Sequence, residues 1–415
     1  MTAGTTEHVT CLGCGCACDD IGVVVKRGRI VETHNACALG TAWFGDGVVP
    51  AEIRVDGRAA SLDQAIDKIA ALLLGANRPL VYIAGDLSCE AQRETVAIAD
   101  RLHAALDSLA ATAADSVLAA QRRGRASATL GEIRERTDLI VFWGVDPSDR
   151  YPRFSARYAE RSGGARPTMV SADVGAHRGP KDADLRVVIA AADEADALGV
   201  MRATVGGREL SSAERFGPAI ELARRMMQAK YVAIVVDGEP GAETPTIDPD
   251  RAEALVALAQ ALNGPTRCAL ATLRAGGNRS GADAVLTWLT GFPFAVDFAG
   301  GTPSYRPAAG AHALLAGREV DAALVVGAAA TLPGPIVQGL VGGRLPVAII
   351  GPRASTATLR PVVAIDTGVA GIHDGGTAFR MDDVPLPLRT SLDGPTGAPA
   401  VVRALRDKLG HHSNE

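Results

Sequence analysis

From about residue 58 onward the chain alternates two kinds of apolar pattern. Short runs are apolar at nearly every position: LVYIAG after Pro79, DLIVFWG (138–144), PTMVSAD (167–173), YVAIVVDG (231–238), RCALATL (267–273), DAALVVG (321–327) and LPVAIIG (345–351). Longer stretches with helical spacing separate them. A strand that is apolar at successive positions must be covered on both faces, and a parallel sheet sandwiched by helices does this. The expected class is therefore α/β. Ser61 with Gln64 three residues later is a capping-box start for a helix through about Leu74. A second helix is predicted from about Ser88 to Leu106. Several strand runs end in glycine, which suits tight turns.

Two stretches follow one plan. Glu132–Asp146 and Leu314–Ala328 each run from a helix end through an Arg/Glu pair and an Asp into an apolar strand and a glycine turn. Two doubly wound α/β domains built this way would border a cleft at their strand carboxyl ends, where open sheets bind ligands. Before residue 58 the pattern differs. Gly22–Thr33 reads as a β-hairpin turning at Lys26, Arg27 and Gly28. The expected organisation is a small Cys-rich β module over residues 1–57, two related α/β domains around a central cleft over 58–390, and a C-terminal helix and tail over 391–415.

Composition narrows the function. Of 415 residues, 42 are Lys or Arg and 47 Asp or Glu, with a net charge of −5 and no long run of either sign. That argues against a nucleic-acid partner or a membrane-hugging basic face. Aromatics make up only 4% of the chain, so stacking platforms for bases are scarce. No apolar stretch approaches the ~20 residues that span a bilayer, and Met1–Thr10 lacks an export signal. A cytoplasmic location without a membrane partner is expected.

Five of the seven cysteines fall between positions 11 and 37: Cys11, Cys14, Cys16 and Cys18 in CLGCGCACDD, and Cys37 in NACALG. In a reducing compartment such clustering points to metal rather than disulfides. Cys11, Cys14 and Cys18 with the distant Cys37 suit a [4Fe–4S] cluster, and the small Gly13, Gly15 and Ala17 let the backbone wrap closely around sulfur. The same four thiolates suit tetrahedral zinc, because spacing alone does not select the metal. A loop that binds no metal is the third reading. Cys16 falls outside the spacing, and Cys89 and Cys268 read as ordinary small buried residues.

CLGCGCACDDIGV followed by NACALG resembles the N-terminal module of molybdopterin- or tungstopterin-dependent oxidoreductases, and more narrowly the B-type subunit of formylmethanofuran dehydrogenase. TDLIVFWGVDPSDRYPRFSARY (137–158), TGFPFAVDFAGGTPSYRP (290–307), REVDAALVVG (318–327) and GTAFRMDDVPLPLR (376–389) resemble later signatures of that family in the same order. The resemblance covers about residues 10–390 and implies a molybdopterin-oxidoreductase-like fold.

The departures matter equally. In the redox members a Cys or selenocysteine in a C-H-G-P-S segment ligates the metal beside an assisting His. The matching stretch here, TAADSVLAAQRRG (112–124), places Thr112 and Ala113 at those positions. Threonine is a hard, neutral oxygen donor, so the soft thiolate is missing. The strand at 231–236 ends in Asp237, Gly238 and Glu239, whose carboxylates would repel a pyrophosphate. Past Asp173 the family is more basic, with Arg178 and Lys181 partly compensating here. No molybdopterin or tungstopterin is expected.

These departures resemble the bacterial formyltransferase/hydrolase relatives. There the resemblance implies a non-redox scaffold subunit in one-carbon metabolism (formaldehyde to formate). Its partners would be a zinc amidohydrolase subunit, a formyltransferase subunit and a further scaffold subunit. A catalytic tungsten or molybdenum dehydrogenase subunit with an unusual ligand, or an iron–sulfur electron-transfer module, are the alternatives.

No other catalytic set stands out. The eight histidines are dispersed. His34 reads as a loop residue near the cysteines, His177 as a surface turn, His312 as a helix start, His373 with Asp374 as a turn, and His411 with His412 as tail. Asp382 and Asp383 form an adjacent acidic pair with Arg380 placed to pair one of them. Arg153 and Arg157, with Arg150 nearby, would share a face if helical from Pro152.

Overall fold

In the computed structural model, which describes residues 4–160, 166–208, 213–239, 249–341 and 345–411, Ser61 and Gln64 form the expected capping box. The Ser61 hydroxyl accepts the Gln64 N–H at 3.2 Å and the Gln64 side chain accepts the Ser61 N–H at 2.9 Å, opening the helix Leu62–Leu74. His412 and the rest of the tail lie outside the described residues, as do residues 1–3. The chain divides into two compact units: Met1–Ala111 with Gly276–Arg380 and Pro385–Glu415, and Thr112–Ala275 with Met381–Val384.

The first unit holds a nine-stranded sheet. Its order is Ser304–Tyr305, Val296–Asp297, Ala105–Ser108, Pro79–Ile83, Ala322–Val326, Val347–Gly351, Val363–Asp366, Ile53–Val55 and Arg58–Ala59. The five strands from Ala105–Ser108 to Val363–Asp366 are parallel, and the flanking pairs are antiparallel. Alternation splits their side chains between two cores. Val81, Ile83, Leu324, Val326 and Ile350 pack with residues of the helices Leu62–Leu74, Cys89–Arg101, Arg279–Thr290 and Ala398–His411. Leu80, Tyr82, Val325 and Ile349 pack with the helices Ala311–Ala316 and Gly334–Val341. This two-sided burial is why the strands read as continuous apolar runs. Each fully buried Leu or Ile contributes about 1.5–3 kcal/mol.

The second unit holds an all-parallel five-stranded sheet, ordered Leu185–Ile189, Thr168–Val174, Leu139–Trp143, Tyr231–Asp237 and Arg267–Leu273. Val141, Trp143, Val170 and Ile234 form one core with the helices Glu194–Val205, Gly217–Gln228 and Pro249–Leu262. The two stretches sharing a plan supply Leu139–Trp143 and Ala322–Val326, each the middle strand of its sheet. The architecture is mixed α/β with several sheets.

Three expectations need adjusting. The helix begun near Ser88 spans Cys89–Arg101 and stops there. His103 takes a left-handed φ of 50°, and the buried Ala105–Ser108 then forms a strand beside Pro79–Ile83. A boundary at residue 57 cuts the turn of the hairpin Ile53–Val55/Arg58–Ala59, whose first strand pairs with Val363–Asp366, so these residues sit with the large sheet. The strand Leu185–Ile189 escapes the continuous-run pattern because it is an edge strand, with Arg186 exposed and Val188 63% exposed.

A separate three-stranded sheet, Gly4–Val9, Ile21–Lys26 and Arg29–His34, contains the expected hairpin, with Arg27 and Gly28 both at positive φ in its turn. The cysteine loop leaves this sheet and is held by backbone contacts within the first unit. The Gly277 N–H donates to the Leu12 carbonyl at 2.8 Å and the Asp86 N–H to the Gly277 carbonyl at 3.0 Å. A Cβ on Gly276 would stand 2.2 Å from the Leu12 oxygen and 2.8 Å from the Cys14 nitrogen, so only glycine fits. Gly276→Ala is expected to cost about 1–3 kcal/mol by overpacking and to loosen the loop. A thermal melt and the rate of Cys14 thiol labelling check this, and no change in either contradicts it.

Candidate functional site

The structure places Cys14, Cys18 and Cys37 near enough to Cys11 to act on it electrostatically. Cys11 and Cys18 are each 6% exposed, while Cys14 and Cys37 are half-buried. Burial pushes the Cys11 thiol far above its ordinary value, opposed by the Gly13 N–H and reinforced by the nearby charges of Cys14, Cys18 and Cys37. The loop closes on itself, with the Cys11 N–H donating to the Cys18 carbonyl at 2.9 Å and the Ala17 N–H to the Cys14 carbonyl at 3.1 Å. Ala17 takes a φ of 38° in this turn. Cys37 caps the helix Ala38–Phe44. The Gly40 N–H reaches the Cys37 Sγ at 3.5 Å and the Gly13 N–H reaches the Cys11 Sγ at 3.3 Å. A Cβ on Gly40 would lie 3.3 Å from the Cys11 Sγ and 3.9 Å from the Cys37 Sγ, so glycine keeps the space between two sulfurs open. Among the described residues, no three His, Cys, Asp or Glu side chains gather closely enough to hold a single metal ion.

Cys16 is fully buried and donates to Cys14 through both its thiol and its N–H. These bonds outweigh burial and bring the Cys14 thiol down to about 7. Cys89 and Cys268, both 4% exposed, have thiols raised by burial to about 11 and about 12, as expected of inert core residues.

Thr112 is the other sequence-predicted position. It lies in the short turn Leu109–Ala113, and its hydroxyl donates to the Glu239 Oε2 at 2.8 Å. Glu239 is 5% exposed and follows the strand Tyr231–Asp237. Its Oε1 accepts the Arg274 Nε at 3.1 Å and the Ala275 N–H at 3.1 Å, and the Arg274 side chain is itself buried. Beside it, Asp237 pairs with Arg150 and accepts the Tyr151 hydroxyl at 3.3 Å. Burial, with the neighbouring Glu239 charge, raises the Asp237 carboxyl above its usual range despite Arg150. Ala113 is fully buried. Near Asp173, two exposed arginines pair with its buried carboxylate. Arg186 lies 2.6 Å and Arg178 3.7 Å from its carboxylate. Burial opposes the charge of Asp173, but hydrogen bonds from Ser171, the Gly179 N–H and Arg186 hold its carboxyl below the usual range.

The remaining candidates have structural roles. His34 is exposed beside Glu32 at 3.8 Å, His177 is exposed in a turn, and His312 is exposed at a helix start. Asp382 accepts the Leu130 N–H at 2.6 Å and Asp383 pairs with Arg125, so the acidic pair points two ways. A π-helical segment, Ser155–Ala159, forms after Pro152; Arg153 lies just before it and its carbonyl accepts the Arg157 N–H at 3.0 Å, while Arg150 is engaged by Asp237.

His373 is the residue that sequence reasoning undervalued. Its Nδ1 accepts the Val369 N–H at 3.1 Å and its Nε2 donates to the Gly47 carbonyl at 2.7 Å, which fixes a neutral ring. It borders a cavity of about 360 Å³ lined by Trp43, Val337, Arg353, Leu359 and Ile372, past the ends of Ala322–Val326 and Val347–Gly351. The signal available in the sequence was the glycines ending those strands. A Cβ on Gly351 would stand 2.1 Å from the Gly327 oxygen.

The sheets and the loop define a two-unit α/β protein with a cysteine-rich N-terminal loop. No protein-family model matches the chain. It is 30% identical over 419 residues to the B-type subunit of the tungsten-containing formylmethanofuran dehydrogenase 2 of Methanocaldococcus jannaschii, with 94% of each covered. It is 31% identical over 371 residues to the B-type subunit of the formyltransferase/hydrolase complex Fhc of Methylorubrum extorquens, covering 86% of this chain and 97% of that one. A chain in the crystal structure of the FhcABCD complex from Methylorubrum extorquens with methylofuran matches with a TM-score of 0.72 at 26% identity, covering 88% of this chain and all of that one. The chain belongs to the family formed by the B-type subunits of formylmethanofuran dehydrogenases and formyltransferase/hydrolase complexes. No helix among the described residues is long and apolar enough to cross a membrane.

Two outcomes are expected. Arg274→Met leaves Glu239 buried without its cation and should cost about 3–5 kcal/mol. Chemical denaturation measures this loss, and adding Glu239→Gln should recover part of it. For His373, burial lowers the ring pKa below 6.5, with the Gly47 bond opposing and Arg353 adding to the shift. Its contribution is therefore complete above about pH 6.5 and is lost as pH falls toward the folded-state value. Denaturation midpoints at about pH 7.5 and pH 5 should differ less in His373→Gln than in the native chain.

Proposed function

We propose that this chain is the B-type scaffold subunit of a formyltransferase/hydrolase complex in one-carbon metabolism, working without a metal–pterin. The observation that carries this reading is the Thr112–Glu239–Arg274 network. Where the redox relatives place a metal-binding thiolate, a hydroxyl here donates to a buried carboxylate that a buried guanidinium already neutralises. Seating a pyrophosphate nearby would set its charge against Asp237 and Glu239, and breaking either ion pair would strand a charge. The residues present do not fit the pterin. Formyl transfer and hydrolysis then belong to the partners: a formyltransferase subunit and a zinc amidohydrolase subunit, accompanied by a further scaffold subunit. Such an assembly is cytoplasmic.

The cysteine loop is a separate matter, and its residues fit an iron–sulfur cluster on Cys11, Cys14, Cys18 and Cys37. Supporting this are the thiol donor set, the open cradle at Gly40 and the N–H groups aimed at two sulfurs. The same four thiolates suit tetrahedral zinc, and their order along the chain does not select the metal. A bound cluster supplies cross-linking and one-electron chemistry. One observation favours the rival reading of a catalytic tungsten subunit: the tungsten-containing relative aligns with 94% of this chain, against 86% for the Fhc relative.

Elemental analysis of the purified complex separates these readings. About four irons per chain without tungsten or molybdenum are expected, and tungsten or molybdenum near one per chain overturns the scaffold assignment. Thr112→Ala should leave formate production intact. Cys14→Ser should lose iron and destabilise the loop.

A further inference from the structure

The parallel strands of the first unit lie in the order Ala105–Ser108, Pro79–Ile83, Ala322–Val326, Val347–Gly351 and Val363–Asp366. The chain therefore winds one way from Pro79–Ile83 and the other way from Ala322–Val326, and the order reverses between these two neighbours. Open α/β sheets bind ligands outside the strand carboxyl ends at such a reversal. The cavity of about 360 Å³ bordered by His373 has this position. Its lining includes Asp86 past Pro79–Ile83, Ala328 and Thr331 past Ala322–Val326, and Arg353 past Val347–Gly351. Small-molecule sites have volumes of about 300–1,000 Å³, and this cavity falls within that range.

Several polar groups on this lining already serve one another. The Thr331 hydroxyl accepts the Gly85 N–H at 2.8 Å and donates to the Ala328 carbonyl at 2.7 Å. His373 is engaged through both ring nitrogens, and the Trp43 indole donates to the Asp86 Oδ1 at 3.0 Å. Arg353 differs. One terminal nitrogen donates to the Val48 carbonyl at 2.8 Å, and no carboxylate among the described residues pairs with it. A guanidinium carries five N–H donors in a fixed fork, so donors remain to grip a carboxylate.

We infer that this cavity is a small-molecule site for an organic acid with an apolar body, whose single carboxylate pairs with Arg353. Val337, Leu359 and Ile372 line it with hydrocarbon, which suits an aliphatic or aromatic body. Asp86 on the same lining repels further negative charge, which favours one acidic group over a chain of phosphates. The site is built from the first unit alone and stands independently of the scaffold reading.

The test uses the intact complex carrying the native chain, Arg353→Met, Arg353→Lys or Val337→Trp, the last placing an indole in the cavity. Equilibrium dialysis measures binding of 4-phenylbutyrate and octanoate, with the neutral 4-phenylbutyramide as control, and a thermal melt checks folding. The native chain should show one acid site that Val337→Trp lacks. Arg353→Met should weaken both acids about tenfold, Arg353→Lys less, and the amide should be indifferent to either change. No saturable acid binding to the native chain overturns the inference, as does a site that persists in a folded Val337→Trp chain. Equal affinity for acid and amide, or acid binding untouched by Arg353→Met, also overturns it. If Val337→Trp unfolds, the two Arg353 variants decide the matter, because the apolar lining is unchanged in both.

Discussion

Two opposite charges, Glu239 and Arg274, sit out of water at the carboxyl end of the second unit's sheet, and the local structure is arranged around keeping them paired. Desolvating both ions is repaid only when geometry is good and the remaining lone pairs are used. Here the carboxylate is satisfied on both oxygens, by the Arg274 Nε and Ala275 N–H on one side and by the Thr112 hydroxyl on the other. Two residues earlier Asp237 pairs with Arg150, a more exposed ion pair. Strand ends in parallel sheets are the usual place for a ligand. In this unit Thr112 and Arg274 are both engaged by Glu239, and Arg150 by Asp237, and that is the physical basis for the proposal that the chain is a scaffold.

The cysteine loop follows a different logic. Its sulfurs are close enough to burden one another electrostatically, and the loop answers with backbone donors and with glycines that make room. Gly40 leaves space between two sulfurs, while Gly276 lets the loop lie directly on its neighbouring backbone. Like charges brought together out of water are unfavourable unless something positive joins them. That imbalance is the physical content of the proposed cluster.

Much of the architecture was legible beforehand. Strands buried on both faces announce themselves as continuous apolar runs, and Ser61 with Gln64 marked a helix start correctly. Ala105–Ser108 was not legible, because four residues following a helix carry no period of their own and the neighbouring strand Pro79–Ile83 decided their state. Leu185–Ile189 was missed for the opposite reason, since an edge strand needs no continuous apolar run. At the candidate site, the hydroxyl that Thr112 offers could be read from the sequence. The partner that takes up its hydroxyl could not.

By itself, then, the sequence determined the α/β class and the family resemblance, because each depends on residue type and local spacing. Tertiary structure alone decided that Glu239 is neutralised by Arg274 rather than left to repel a ligand, that Asp382 and Asp383 serve different neighbours, and that His373 is held neutral between Val369 and Gly47. Each of these depends on groups far apart in the chain, and the energy of a charge or a ring nitrogen is set by what folding places beside it.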